Sequence, residues 1–416
     1  MSDLLSLFSL HVPTEPLTEA WVGRSRQCLA PDAAIPQGIL FPRTLEELSK
    51  AVTLTQQHQW RFLPCGYGSK LDWGGLVSGA EVLISTQRLA MPPIHSEGDL
   101  TVTVSAGMDY ASLQKLLAPA RQFWAVDPWV GAFLHNTEGA PVSVGGIIAT
   151  ASTGSLRQRY GGVRDQVLGM TVVRADGQVA KSGGQVVKNV AGYDLMKLFT
   201  GSYGTLGVMA TVTLRLYALP PQRGIYGFGG SWGAIAAFLS AVRCSAATPL
   251  ALDVWLLPAP SVWVVLGTTA AALKEQGDHL VQLAAQWGLV PLDSGRLPTE
   301  PQAAACRCQV GILPARVGDF CTQIGQITPA TQAQIHAGSG IGTIWFSTAP
   351  MAAELEQLRE LSHRFGGYWT VLSAPTSLKQ SLSPWDRSVM PLPLMNQVRQ
   401  QFDPDARLCS HRFSWG

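Results

Sequence analysis

Glycine and small hydroxyl residues gather in three segments of the N-terminal half: PCGYGSK at 64–70, PVSVGGIIATASTGSLRQRYGGVRD at 141–165, and VKNVAGYDLMKLFTGSYGTLGV at 187–208. Glycine costs about 0.5–1 kcal/mol inside a regular element, so such clusters mark turns or a main chain that something approaches closely. A backbone without side chains presents successive N–H groups to an anion, and Ser69, Ser152, Thr153 and Ser155 add hydroxyls beside it. The chemistry that suits this pattern is the holding of a phosphate-bearing cofactor. A Rossmann site needs G-x-G-x-x-G directly after a strand, but CGYGSKLDWGG places Ser69, Lys70 and Leu71 where the third glycine belongs. A Walker lysine pattern is also absent.

The elements that must position these loops read as mixed α and β. In TLEELSKAVTLTQQHQ, 44–59, Thr44 and Glu47 stand at capping-box spacing and Leu45, Leu48 and Val52 form a stripe, which predicts a helix. RFLPCGYGSK follows as a strand that breaks into a glycine loop. LTVTVSAG, 100–107, alternates with period two, and DYASLQKLLAPA puts Leu113, Leu116 and Leu117 on one helical face. Around Asp176-Gly177 the sequence predicts a hairpin. GVMATVTLRLYAL predicts a long strand with Val208, Ala210, Val212, Leu214 and Leu216 on one face, ending at Pro220-Pro221. That proline pair divides a domain over 1–220, with its core at about 30–220, from a second α+β domain over 221–416. In the second domain, helices such as AAALKEQGDHLVQLAAQWG and MAAELEQLRELSHRFG alternate with short strands such as CQVGIL and GTIWFS.

Composition bounds the function. The chain has 416 residues, 46% hydrophobic and 14% charged, with a net charge of +2 and no charge runs, so nothing marks a nucleic-acid surface. The apolar stretch ALDVWLLPAPSVWVVLGTTAAALKE is broken by Asp253, Pro258 and Pro260, which predicts two strands and no transmembrane segment. The opening MSDLLSLFSLHVPTEP lacks a basic region and a small-residue cleavage site, so a cytoplasmic location is expected. Seven scattered cysteines fit reduced thiols, and Cys306 and Cys308 form a lone C-x-C without further ligands, so no metal is expected.

PCGYGS, SVGGIIATASTG, RYGGVRDQVLGMTVVRADGQV and GGQVVKNVAGYDLMKLFTGSYGTLGVMATVTLRL come in an order and spacing that resemble the PCMH-type FAD-binding domain of the vanillyl-alcohol oxidase superfamily. Within it, the chain is most similar to the FAD-binding, E-type subunit of glycolate oxidase (glycolate dehydrogenase). The resemblance is dense over 60–220 and returns at FDPDARL near the C-terminus. It implies an α+β fold: a two-subdomain FAD-binding domain, then an α+β cap, with a C-terminal segment returning to the first domain. It also implies FAD as cofactor. Gly66, Tyr67, Gly68 and Ser69 match the diphosphate loop, and Gly145, Gly146, Ala149, Ser152 and Gly154 the segment along the diphosphate and ribityl chain. Gly201, Gly204, Gly207 and Val208 match the turn beside the flavin ring, while Tyr160, Gly161 and Asp165 match a supporting loop. Lys188, Asn189, Tyr193 and Asp194 read as a capped helix on the flavin sheet, with Lys197 facing solvent.

The related catalytic subunits carry H-A-G-D-G-N-x-H with a metal nearby. Here HAGSGIGTI, 336–344, keeps His336 but has Ser339 for the acid and Thr343 for the second histidine, leaving His336 as the catalytic candidate. FDPDARLCSHRF keeps FDP without N-P-G-R, and His411 and Arg412 read as exposed tail. No histidine precedes CGYGS, which argues against a histidyl flavin link. The resemblance implies a subunit that takes part in glycolate oxidation to glyoxylate, working with a catalytic flavoprotein and an iron–sulfur subunit and peripheral to the membrane through them. A self-sufficient FAD oxidoreductase of a small 2-hydroxy acid such as D-lactate, and a non-catalytic assembly protein, remain alternatives.

Overall fold

Short β-rich runs next to glycine turns build two small sheets, and a computed structural model shows how they meet. It describes residues 3–128, 141–184, 193–256, 259–293, 297–301, 303–327, 332–409 and 411–413. Lys188 and Asn189 lie outside the described residues. The first sheet runs Thr14–Pro16, Gly38–Leu40, Val82–Ser85, Phe62–Cys65, with the last three strands parallel. The helix Leu45–Gln57 covers it; Thr44 Oγ1 accepts from Glu47 N at 3.2 Å, while the Glu47 carboxylate accepts from Arg43 N at 2.6 Å.

The second sheet is antiparallel, in the order Ile94–Ser96, Thr101–Ser105, Val208–Arg215, Val167–Val173, Val179–Gly183. Its last two strands form the hairpin expected around Asp176-Gly177. Three expectations change in detail. The stripe from Val208 to Leu216 is split by a bulge between Met209 and Thr211. Val208 and Ala210 enter the core beneath Leu45–Gln57, whereas Val212, Leu214 and Leu216 enter the one beneath helix Tyr110–Leu117. On that helix Leu113 and Leu117 are buried but Leu116 is 39% exposed, because the core reaches only one edge of the stripe. Lys197, expected to face solvent, instead donates to Arg164 O at 2.5 Å and Val167 O at 3.1 Å.

From Gln222 onward the chain builds an eight-stranded antiparallel sheet. Its order is Val290–Pro291, Gln222–Gly229, Ser261–Thr268, Pro249–Trp255, Gln332–His336, Ile341–Phe346, Cys306–Gly311, Tyr368–Ser373. One face carries the helices Trp232–Arg243, Ala270–Gln286, Val317–Ile327 and Ala352–Arg364 over a large apolar core. A separate apolar cluster joins Ala251, Trp255, Trp263 and Trp345 of this sheet to Phe123, Ala125 and Leu156 of the N-terminal part. The C-terminal segment runs back beside Phe62–Cys65: Phe62 N donates to Arg407 O at 3.0 Å, and the Asp403 carboxylate accepts from Arg407 N and Leu408 N at 2.9 and 2.8 Å.

Candidate flavin cleft and interdomain pocket

The ends of Phe62–Cys65, Thr101–Ser105 and the turn before Val208–Arg215 converge on a cleft of about 90 Å³ that is open on one side. Ligands of open sheets collect at such strand ends. Of the residues expected to touch a cofactor, Gly66, Tyr67, Gly68, Ser69, Gly145, Gly146, Ala149, Gly204, Gly207 and Val208 line it. Three do not. Ser152 and Gly154 line a second pocket, and Gly201 packs behind the cleft, its N donating to Ile148 O at 3.0 Å.

Close approach of backbone explains two of the lining glycines. A Cβ on Gly66 would overlap Ser143 Oγ and lie 2.6 Å from Ser143 Cβ. Ser143 is thereby left free to cap Val144–Ala149, its Oγ accepting from Gly146 N at 3.0 Å. Gly68 sits at φ +76°, where a side chain would be strained and would meet Trp21.

The cleft also includes Cys65 and residues the sequence did not single out for it: Lys70, Thr86, Ala106, Tyr203 and Arg412. Arg412, expected as exposed tail, is 3% exposed; its Nη1 donates to Leu71 O at 3.0 Å and Trp73 O at 2.5 Å. Trp385 Nε1 donates to Arg412 O at 2.8 Å and so pins the tail. The signal was present as a basic residue in the returning FDP segment, but its partners lie over 300 positions away. Lys70 and Arg412 are both cations, and no Asp or Glu is among the described lining residues. Exposed main chain, two cations and no carboxylate fit the phosphates of a flavin nucleotide.

The second pocket lies between the cap sheet and the segment 152–155, and measures about 20 Å³, near the space of one water. His336, the catalytic candidate, is 8% exposed there and held by neighbours. Its Nδ1 is 2.8 Å from Asp253 Oδ1 and 2.9 Å from Ser155 Oγ, while Asp253 Oδ2 accepts from Ser155 Oγ at 2.5 Å and Gln334 Nε2 at 2.9 Å. Burial alone would lower the imidazole, but the charge and hydrogen bond of Asp253 raise it above its ordinary range. Burial likewise opposes ionisation of Asp253, yet His336, Ser155 and Gln334 bring its carboxyl below the usual range. Their joint preference is a buried ion pair, which leaves no lone pair at Nδ1 to take a proton. Asp127, on the same pocket, is pushed up to about 7 by burial, although its Oδ1 accepts from Leu156 N at 3.1 Å. Half-buried Glu300 is pushed up to about 8 by burial, moderated by Arg307.

Other expected features have structural roles. The Asp165 carboxylate accepts from Gly162 N at 2.9 Å, and Tyr160 packs on Phe123 and Tyr217. Tyr193 is 89% exposed. Cys306 and Cys308 are buried with sulfurs 3.7 Å apart, and no cluster able to hold a metal occurs among the described residues. No helix among them is long and apolar enough to cross a membrane.

Comparison with known proteins agrees with this geometry. Residues 36–183 match the family described as FAD binding domain. The chain is 31% identical over 221 residues to the mitochondrial D-lactate dehydrogenase [cytochrome] of Arabidopsis thaliana, covering 53% of this chain and 37% of that protein. It is 30% identical over 190 residues to glycolate oxidase subunit GlcD of Bacillus subtilis (strain 168), covering 46% and 39%. A D-2-hydroxyglutarate dehydrogenase of Xanthomonas citri pv. viticola is 32% identical over 218 residues, covering 52% and 44%. The matches therefore span less than half of each of these relatives. Among solved structures, FgChi7B superposes with a TM-score of 0.71 at 16% identity over 97% of this chain and 96% of that one. Alkyldihydroxyacetonephosphate synthase superposes at 0.65 with 14% identity over 90% and 77%. These two likenesses concern the fold. The chain has an α+β, PCMH-type fold, and residues 36–183 within its N-terminal portion match an FAD-binding domain.

Proposed function

We propose that this protein is the FAD-binding subunit of a glycolate oxidase (dehydrogenase)-type complex that oxidises a 2-hydroxy acid, glycolate to glyoxylate, with a catalytic flavoprotein and an iron–sulfur subunit as partners. Bound FAD would supply hydride and electron transfer. In this reading the main chain of 66–69 and of Gly145, Gly146 and Gly204 approaches the nucleotide, Lys70 and Arg412 balance its charge, and Val208 packs beside the cleft. The observation that carries the subunit role is the state of the interdomain pocket. His336 is engaged by Asp253 and Ser155, and about 20 Å³ is too little for a hydroxy acid. Asp127 and Glu300 also line it, and neither supplies the cation that a carboxylate substrate calls for.

The second reading, a self-sufficient FAD oxidoreductase of D-lactate or a similar acid, draws on relatives named D-lactate dehydrogenase. The two separate in one measurement. The purified chain is assayed for acid-releasable flavin and for glycolate- and D-lactate-dependent reduction of an artificial acceptor, alone and with the two partners co-expressed. Stoichiometric FAD with turnover only in the complex is expected; brisk turnover by the isolated chain overturns the subunit reading, and a colourless chain that FAD cannot reconstitute leaves a non-catalytic assembly role.

A further inference from the structure

Arg412 is committed to the protein through the carbonyls of Leu71 and Trp73, but Lys70, the other cation of the flavin cleft, is not. Lys70 is 8% exposed, its Nζ has no hydrogen-bond partner among the described residues, and the Trp73 ring centroid lies 5.4 Å away. An ammonium buried without a partner is unfavourable, and native chains keep such a group where something else completes it. Here it follows directly on the 66–69 turn, on the wall of a cleft with no carboxylate among its described residues.

We propose that Lys70 pairs with the diphosphate of bound FAD, its ammonium meeting an oxyanion that no described residue of the protein provides. The inference rests on the assignment of the cleft to FAD and goes beyond it by naming the side chain that makes the charged contact. With Lys70 and Arg412 on its wall, the cleft holds two positive charges against the two negative charges of a diphosphate diester.

Burial pushes the Lys70 ammonium down to about 7 in the free chain, so above that pH the binding of an anion takes up a proton and affinity falls as pH rises. The other titratable groups on the cleft are Cys65, Tyr67, Tyr203 and Arg412, and burial raises the first three. Lys379, pushed down to about 8 by burial, donates to Asp72 O on the same loop and titrates nearby. The slope is therefore read as the difference between wild type and a Lys70 variant.

The test titrates the flavin-stripped full chain with FAD, ADP and riboflavin, comparing wild type, Lys70→Met and Lys70→Arg. Loss of a charge-assisted contact predicts about tenfold to a hundredfold weaker FAD and ADP binding by Lys70→Met, with riboflavin unaffected and partial rescue by Lys70→Arg. The stripped Lys70→Met chain is expected to melt no lower than wild type, since the methionine removes an unpaired buried charge. Unchanged FAD and ADP affinity, an equal loss for riboflavin, or a lower melting temperature of the stripped variant each overturn the proposal. A wild-type chain that takes up FAD but not ADP overturns the diphosphate pairing alone, and one that takes up neither overturns the cleft assignment with it.

Discussion

Replacing Asp253 with Asn tests whether His336 is a structural ion-pair partner or a base. Asp253 is 1% exposed and accepts from Ser155 and Gln334 as well as pairing with His336, so the substitution strands a buried imidazolium. Breaking such a pair costs about 3–5 kcal/mol. For a folding unit of about 150–250 residues that is a fall of roughly 6–20 °C in Tm. His336→Asn should cost nearly as much, and the double variant should cost clearly less than the sum, with a coupling of about 2 kcal/mol in a double-mutant cycle. Thermal and urea unfolding of the four proteins gives the cycle, with bound flavin measured alongside.

The sign of the pH dependence is set by the same pair. The raised His336 contributes stability in full below its ordinary value of 6.5 and loses it as pH rises through the folded value. The lowered Asp253 contributes above its ordinary value of 3.8 and loses its share as pH falls through the folded value. Singles that add within about 0.5 kcal/mol would refute the pairing. So would a His336→Asn protein with wild-type Tm but without hydroxy-acid turnover in the reconstituted complex.

Three further outcomes follow from the geometry. Asp127 is raised from 3.8 to about 7, so its contribution to stability is full below 3.8 and is lost as pH rises to 7, at about 1.4 kcal/mol per unit; Asp127→Asn should remove that slope from urea midpoints measured at pH 5 to 8. Gly66→Ala drives a methyl into Ser143 and disturbs the cap of Val144–Ala149, which should cost about 1–3 kcal/mol and at least tenfold in FAD affinity, read by melting and by flavin absorbance. Arg412→Met leaves the carbonyls of Leu71 and Trp73 without this donor, at about 1–3 kcal/mol, and should speed FAD release from a pre-loaded chain; unchanged release would show that the tail does not brace the loop.

Local chemistry accounts for what was legible in the sequence. The capping box at Thr44 and Glu47, the Asp176-Gly177 hairpin and the glycine turn after Phe62–Cys65 depend on residues a few positions apart, so their pattern is written in consecutive letters. The glycine loops that line the cleft were legible for the same reason: a main chain that approaches something closely must dispense with side chains, and the gaps show as glycines. The family resemblance placed Ser152 and Gly154 along the cofactor, but after Thr150 the chain leaves the cleft and both line the second pocket.

What tertiary structure alone decided is which distant residues share a site and how much water reaches them. Lys70 and Arg412 become one charged wall only when the C-terminal segment docks beside Phe62–Cys65. Ser155, Asp253, Gln334 and His336 become one network only when the eight-stranded sheet packs against the segment 152–155. Proximity of this kind is a product of folding over hundreds of residues, and burial sets whether an ionisable group stays charged, so neither property can be read from spacing along the chain.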